Sequence, residues 1–448
     1  MEQNLTNGSV LRNILRFSLP YLLSYFLQTL YGMADLFIIG QYCGTESSTA
    51  VANGSQVMHM LTVMLVGLAM GATVSIAQSV GAGALRKAAR SVGNTVTLFM
   101  ALSIGLTAVL LACVQGIVSI VATPAEAVPG AIVYLKICFA GIPFITAYNI
   151  ISSIFRGLGD SKTPMYFIAA ACACNIALDY LFIGAMHMGP AGAALGTTLA
   201  QAISVVLSLV VILRRKSGIQ LQTTDFRPEK ATVGKLLSIG VPVMLQDGFI
   251  QVSFIIITII ANQRVLTDAA AVGIVEKIMS FMFLLPSSML SAVSALGAQN
   301  IGAGKPERAR QTLFYAIAIA TGVGFVIALA MQYLADGMVS LFTPDALVAI
   351  AGGQYLRGYI WDSWFGGIQF SFSGYFCAKG KSGLSFLHNV LSIVFVRIPG
   401  AYFGSKLFPQ TLFPMGLASA AGSLFSVFVC VIAYLCLARR EKALQETH

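Results

Sequence analysis

Apolar runs long enough to cross a bilayer recur along almost the whole of this chain, and they narrow its fold more than any motif does. A hydrocarbon core offers no hydrogen-bond partner, so a spanning segment must satisfy its own backbone, as a helix or within a closed barrel. Helical spans need about 20 apolar residues, whereas barrel strands need about 10 of alternating polarity. The runs here fit helices, at 14–40, 51–81, 92–121, 130–157, 164–185 and 191–213, then at 234–262, 268–302, 309–340, 348–378, 384–405 and 413–438. The chain is 57% hydrophobic and 10% charged, against roughly 25% charged in a soluble domain. The expected fold class is therefore all-α, a polytopic membrane protein of 12 transmembrane helices.

The chain also repeats itself. Ala77-Gln78-Ser79-Val80-Gly81-Ala82-Gly83 returns as Ala298-Gln299-Asn300-Ile301-Gly302-Ala303-Gly304, a shift of 221. Ser18-Leu19-Pro20 maps onto Gly240-Val241-Pro242, Thr123-Pro124 onto Thr343-Pro344, and Tyr134-Leu135-Lys136 onto Tyr355-Leu356-Arg357. Phe155, Gly159 and Ser161 map onto Phe376, Gly380 and Ser382. Six spans per repeat is an even number, so both copies enter the membrane the same way up. Two six-helix lobes related by a pseudo-two-fold axis along the membrane normal are expected, a plan common among secondary transporters. The lobes fall at 1–213 and 234–448, joined by a polar cytoplasmic linker at 214–233.

Charge sets the orientation. Of 27 basic residues, 21 lie at one set of span ends, including Arg12, Arg86, Arg156, Lys162, Arg214, Arg215, Lys216, Lys305, Lys379 and Arg439, while the opposite loops hold only Arg264 and Lys406. By the positive-inside rule both termini are cytoplasmic, in the cell membrane. The net charge of +10 thus reads as topogenic, and no nucleic-acid partner is expected. Eight cysteines sit mostly inside apolar runs at no metal-ligand spacing, as small buried hydrophobes. No phosphate-loop, His-Glu-x-x-His or paired Cys-x-x-Cys motif occurs. Neither ATP, a cofactor nor enzyme chemistry is expected.

Carboxylates at membrane depth are costly and need reasons. Asp35 lies about five residues from the outer end of the first span and Asp179 about six from that of the fifth. Asn175 is one turn inward of Asp179, on the same face. Thr197 enters the sixth span at a similar depth. Four oxygen-bearing side chains share one level, a set suited to a hard cation such as Na⁺ or to a proton. The second half carries Asp247 and Gln251 mid-span, Glu276 beside Lys277, and Asp362 between Trp361 and Trp364. Asp362 with its rings reads either as a cradle for an amphipathic cation or as part of an interfacial aromatic belt. Arg397 either pairs with one of these acids or snorkels, and His59 either titrates or is a satisfied core residue. Pro20, Pro143, Pro242, Pro286 and Pro399 are expected to interrupt helices.

Several of these features together resemble the MATE family, the multidrug and toxic compound extrusion transporters. They are Pro20 followed by Gln28, Tyr31 and Asp35, then the Gly81-Ala82-Gly83 loop. Next come Phe155-Arg156-Gly157-Leu158-Gly159-Asp160-Ser161-Lys162-Thr163-Pro164 and Asn175-Ile-Ala-Leu-Asp179-Tyr-Leu-Phe-Ile, then Gly192-Ala193-Ala194. The likeness spans essentially the whole chain. It implies export of cationic or lipophilic compounds in exchange for H⁺ or Na⁺, by alternating access; because one chain already holds both lobes, it is expected to act as a monomer. In the DinF-like branch, which the chain resembles most, the coupling site would fall on Asp35, Asn175, Asp179 and Thr197 with the Ala193 carbonyl. Gln28, Tyr31 and Tyr134 would lie nearby. In the NorM-like branch acids in spans seven and ten also serve the ion. Here Gln251 and Gly366 stand near those positions, with Asp247, Gln251 and Asp362 left to line a substrate cavity. A lipid-linked precursor flippase of the same superfamily is the alternative; such proteins more often carry fourteen spans and a basic cavity, whereas this one reads acidic. A non-transporting scaffold or receptor would leave the intramembrane acids unexplained.

Overall fold

The computed structural model describes residues 5–214 and 220–446. Arg215 and Lys216, counted above among the linker charges, and the first four residues lie outside them. Helices account for nearly all of the described chain. The first half comprises α1 (Val10–Tyr42), α2 (Thr45–Gly81), α3 (Leu85–Ile120), α4 (Val128–Ala140), α5 (Ile142–Gly157), α6 (Lys162–Asp179) and α7 (Gly189–Arg214). The second comprises α8 (Lys230–Asn262), α9 (Leu266–Met282), α10 (Leu284–Gly302), α11 (Pro306–Ser340), α12 (Ala346–Ala378), α13 (Ser382–Ser392), α14 (Ile398–Leu407) and α15 (Phe413–Glu446).

Among the described residues, 10 helical spans are long and apolar enough to cross a membrane, and the pair α4 and α5, bent by 48°, makes up to 11. The remaining expected span, 348–378, falls in α12, which carries Arg357 and Asp362. Most of α12 is buried, packed on α9, α10, α11 and α15. A helix sheathed by protein needs no hydrocarbon-like surface, so its lower hydropathy follows from its position.

The repeated heptad proves to be a helix stop. After α2 the Ala84 amide donates to Ser79 O and Gly83 N to Val80 O, each at 3.0 Å; after α10 Lys305 N donates to Asn300 O at 2.8 Å and Gly304 N to Ile301 O at 3.1 Å. Gly83 and Gly304 have φ of 67° and 69°, the left-handed conformation in which glycine meets no Cβ penalty. The Arg156–Pro164 motif is likewise structural in part. Asp160 Oδ1 accepts from the amides of Lys162 and Thr163 at 3.1 and 3.0 Å, fixing the start of α6.

The prolines divide into two kinds. Pro143 and Pro399 stand in the first turns of α5 and α14, and Pro286 in that of α10, where helices break as expected. Pro20 and Pro242 instead lie inside continuous α1 and α8, contrary to expectation. Neighbouring groups let a membrane helix run through proline, and Ser24 Oγ bonds the Pro20 carbonyl at 2.9 Å.

The chain separates into two compact units. One contains Leu19–Met244; the other contains Thr6–Ser18 and the chain from Leu245 onward. Both α1 and α8 are therefore divided between units. In the first unit, the turn Thr223–Phe226 docks on α3. Arg86 donates to Asp225, Gln222 and Thr224 at 2.9, 2.7 and 3.3 Å, and Asn94 Nδ2 to the carbonyls of Asp225 and Arg227 at 3.0 and 3.2 Å. In the second, Lys305 Nζ donates to Thr6 O at 3.0 Å and Arg308 Nη2 to Gly8 O at 3.1 Å, seating the segment that leads into α1. Arg264, one of two basic residues expected in the opposite loops, pairs with Asp268 at 2.7 Å and donates to the carbonyls of Ser405, Phe408 and Pro409. The eight cysteines are all free, and Cys113 and Cys436 are exposed rather than buried.

Candidate functional site

Three helices of the first unit build a buried polar cluster. Helix α1 presents Gln28, Tyr31 and Asp35, whose spacing of three, four and seven residues places them on one face. Helix α6 ends with Asn175 and Asp179 one turn apart, and the backbone then widens into a π turn over Tyr180–Ala185. Helix α7 supplies Ala193, Thr197 and Gln201, again at successive turns.

Asp35 is 3% exposed, Asn175 2% and Asp179 0%. Thr197 Oγ1 donates to Asp35 Oδ2 at 3.0 Å, and Asp179 and Asn175 lie within interaction range of the same carboxylate. Yet Asp35 Oδ1, both carboxylate oxygens of Asp179, both polar atoms of Asn175, Thr198 Oγ1 and Gln201 Oε1 have no hydrogen-bond partner. Buried polar atoms are rarely left so. A narrow crevice bounded by Tyr31, Ala171, Asn175, Thr197, Ala200 and Gln201 runs beside them. Tyr134, fully buried, bonds Ser55 Oγ at 3.0 Å and lies within electrostatic range of Asp35. Ala193 is buried one turn before Thr197. Gln28 is half-buried one turn before Tyr31.

Sequence reasoning missed Gly196. A Cβ there would stand 2.2 Å from Asp179 Oδ1, so the carboxylate occupies the space a side chain would take. A glycine directly before Thr197 was the available signal. Gln201, one turn further on the same face, was also overlooked.

The second unit has a different cluster. Asp362, 0% exposed, accepts from Arg397 Nη2 at 2.5 Å and from Ser423 Oγ. Gln369 Nε2 donates to Ser423 at 2.9 Å, and Arg397 Nε donates to Ser419 at 3.3 Å. The guanidinium also lies 5.2 Å from the Phe254 ring. Of the two readings of Arg397, pairing with an acid is the one observed. Asp362 is held by Arg397 and Ser423 rather than by Trp361 or Trp364. Trp361 and Trp364 turn to each other and to Phe325, at centroid distances of 5.2 to 6.3 Å. Glu276 accepts from the hydroxyls of Tyr355 and Tyr359, each at 3.4 Å. Glu276 and Tyr355 stand 221 residues after Ser55 and Tyr134, so one side-chain contact is built twice. Asp247 and Gln251 share a half-buried face of α8.

Comparison with known proteins agrees with this architecture. The MatE family model matches residues 20–181 and 242–403, one match per repeat. The probable multidrug resistance protein YpnP of Bacillus subtilis is 28% identical over 434 residues, covering 96% of each chain. The probable multidrug resistance protein NorM of Thermotoga maritima is 26% identical over 439 residues, covering 95% of this chain and 92% of that protein. Among solved structures, an outward-facing multidrug resistance MATE family transporter of the MOP superfamily superposes with a TM-score of 0.90 at 22% identity. It covers 99% of this chain and 98% of its own. With the duplicated family match spanning most of the sequence, and an all-helical membrane fold shared over nearly its full length, the chain belongs to the MATE family of membrane transporters.

Proposed function

We propose that this protein exports cationic and lipophilic compounds across the cell membrane in exchange for a coupling cation, H⁺ or Na⁺, bound at Asp35, Asn175, Asp179 and Thr197. One observation carries the reading: two buried carboxylates lie close together, a threonine hydroxyl donates to one of them, and several orphaned oxygens surround them. Whatever negative charge they bear must be neutralised by something the chain does not supply. A proton shared by the pair, or a cation held by carboxylate, amide and hydroxyl oxygens, does so.

Exchange then follows from linkage. Cation and drug each bind one conformation better than the other, and without that difference neither moves the other. Loading the site changes the charge on α1 and α6, and Tyr31, Gln28 and Tyr134 beside it transmit that change to a bound drug. Asp247 and Gln251 serve the substrate path in the second lobe, while Asp362 is committed to Arg397. The placing of the acids favours the DinF-like arrangement. Twelve crossings, both termini in the cytoplasm and action as a monomer complete the proposal.

Proteoliposomes loaded with a fluorescent cation test it, with ΔpH and a sodium gradient imposed separately. Export should follow one gradient, and Asp35→Asn or Asp179→Asn should reach the membrane at normal levels yet lose gradient-driven export. Wild-type export by either variant refutes the site. Counterflow of a phosphoglycolipid in place of the dye would favour the flippase.

A further inference from the structure

Arg156 is a buried cation that the first unit leaves unpaired. It stands in the last turn of α5 and is 8% exposed. Its guanidinium lies 5.1 Å from the centroid of the Tyr21 ring, and no hydrogen bond or ion pair engages it among the described residues. Asp160, one turn on, accepts from the amides of Lys162 and Thr163 and from the Thr163 hydroxyl. The C-terminal end of α5 offsets only about half a charge, and buried charges are ordinarily paired. Setting the orientation of the chain does not need burial, since Lys87 and Lys162, basic residues of the same set of span ends, are exposed.

The position of Arg156 gives its charge a use. Tyr21, Gln28 and Asp35 recur every seven residues, so one face of α1 runs from the ring under Arg156 to the acid pair, a rise of about 21 Å. Tyr148, two turns before Arg156 on α5, lies within electrostatic range of Arg156, Tyr21 and Tyr31, and Tyr31 within that of Asp35. A polar ladder thus joins the carboxylates to the end of the unit read above as cytoplasmic, with Arg156 as its last rung. It does not face lipid, because the bulky exposed residues Leu19, Leu23, Phe26 and Leu30 lie on the opposite side of α1. Carboxylates attract cations from either side, and a fixed arginine on such a route opposes them. A unit charge about 8 Å from a passing cation, at an effective dielectric of about 20, lowers its occupancy roughly thirtyfold.

We propose that Arg156 is an electrostatic valve that stops the coupling cation from slipping into the cytoplasm when no drug is exchanged. The guanidinium closes the ladder in this conformation, and the ion leaves only when the contact between Arg156 and Tyr21 opens. The proposal rests on the cation-exchange reading above, and adds to it the residue that keeps exchange obligatory.

The test follows drug-free leak in proteoliposomes holding matched amounts of the full chain, with a pH-sensitive or a sodium-sensitive dye inside. Wild type should hold both gradients as protein-free vesicles do. Arg156→Gln should dissipate the gradient that drives export ten- to thirtyfold faster than wild type, and Arg156→Lys should hold it. Adding Asp35→Asn to Arg156→Gln should stop the leak, because the ion then has no site to pass through. Tyr21→Leu, which keeps the charge but removes the ring that holds it, should leak to a lesser degree and stands in should Arg156→Gln fail to reach the membrane. Export with no extra leak in Arg156→Gln, equal leak in Arg156→Lys, or leak that survives Asp35→Asn overturns the valve and leaves the exchange reading standing. If wild type exports no dye down either gradient, the exchange reading falls, and the valve with it.

Discussion

Gly196 gives the sharpest test of the buried acid pair, because the perturbation is one methyl group. A Cβ at this position would stand 2.2 Å from Asp179 Oδ1 and 3.3 Å from its Cγ. To reach an ordinary contact of 3.4 Å from 2.2 Å, the carboxylate must retreat by about 1.2 Å. It cannot retreat freely, since Asp179 is fully buried at the end of α6. Misplacing a positioned group by about 1 Å can cost about a hundredfold. We therefore expect Gly196→Ala to weaken apparent affinity for the coupling ion ten- to a hundredfold, about 1.4 to 2.7 kcal/mol. Alanine is also the better helix former, by about 1 kcal/mol, so thermal stability in detergent should hold while coupling falls. The assay is dye export from proteoliposomes, titrated with sodium and with pH on the ion-entry side. Gly322→Ala is the control, since no atom lies within 4 Å of a Cβ there. If Gly196→Ala titrates as wild type does, Asp179 does not hold the ion in the observed position and the reasoning fails.

Breaking the buried pair in the second unit by Arg397→Met should destabilise the protein by about 3–5 kcal/mol, because Asp362 would be left buried without compensation. Adding Asp362→Leu should recover most of that in thermal unfolding. Arg86→Ala removes three hydrogen bonds to the Gln222–Asp225 stretch, so trypsin should cut after Lys230 faster than in wild type; unchanged cleavage would show that Asn94 and Thr97 hold the turn without it. Arg264→Ala frees the carbonyls of Ser405, Phe408 and Pro409, and amide exchange in that loop should quicken measurably.

The membrane class, the helical fold and the internal repeat were open to reading from the sequence, because hydropathy and a fixed shift need no side-chain geometry. The meeting of Asp35 and Thr197 could be anticipated from their shared depth, since a helix converts residue number directly into height. Three things were hidden. Whether Arg397 snorkels or pairs depends on which way a long side chain turns, and only packing against α12 and α15 decides it. Whether a proline breaks a helix depends on neighbours, so Pro20 and Pro143 look alike in sequence and behave differently. Close approach of backbone to side chain, as at Gly196, leaves no periodic trace. The span at 348–378 was found by length, yet its surroundings rather than its hydropathy justify it.

The partition of α1 and α8 has a consequence for how such a molecule is put together. Each compact body borrows a helical beginning from the opposite half of the gene: residues 6–18 for one, 230–244 for the other. A polypeptide severed at the linker would thus yield two fragments, each missing a piece the other keeps. Neither should be a finished object alone. Co-synthesis should rescue what separate synthesis does not, and the ribosome must deliver both repeats before either is complete.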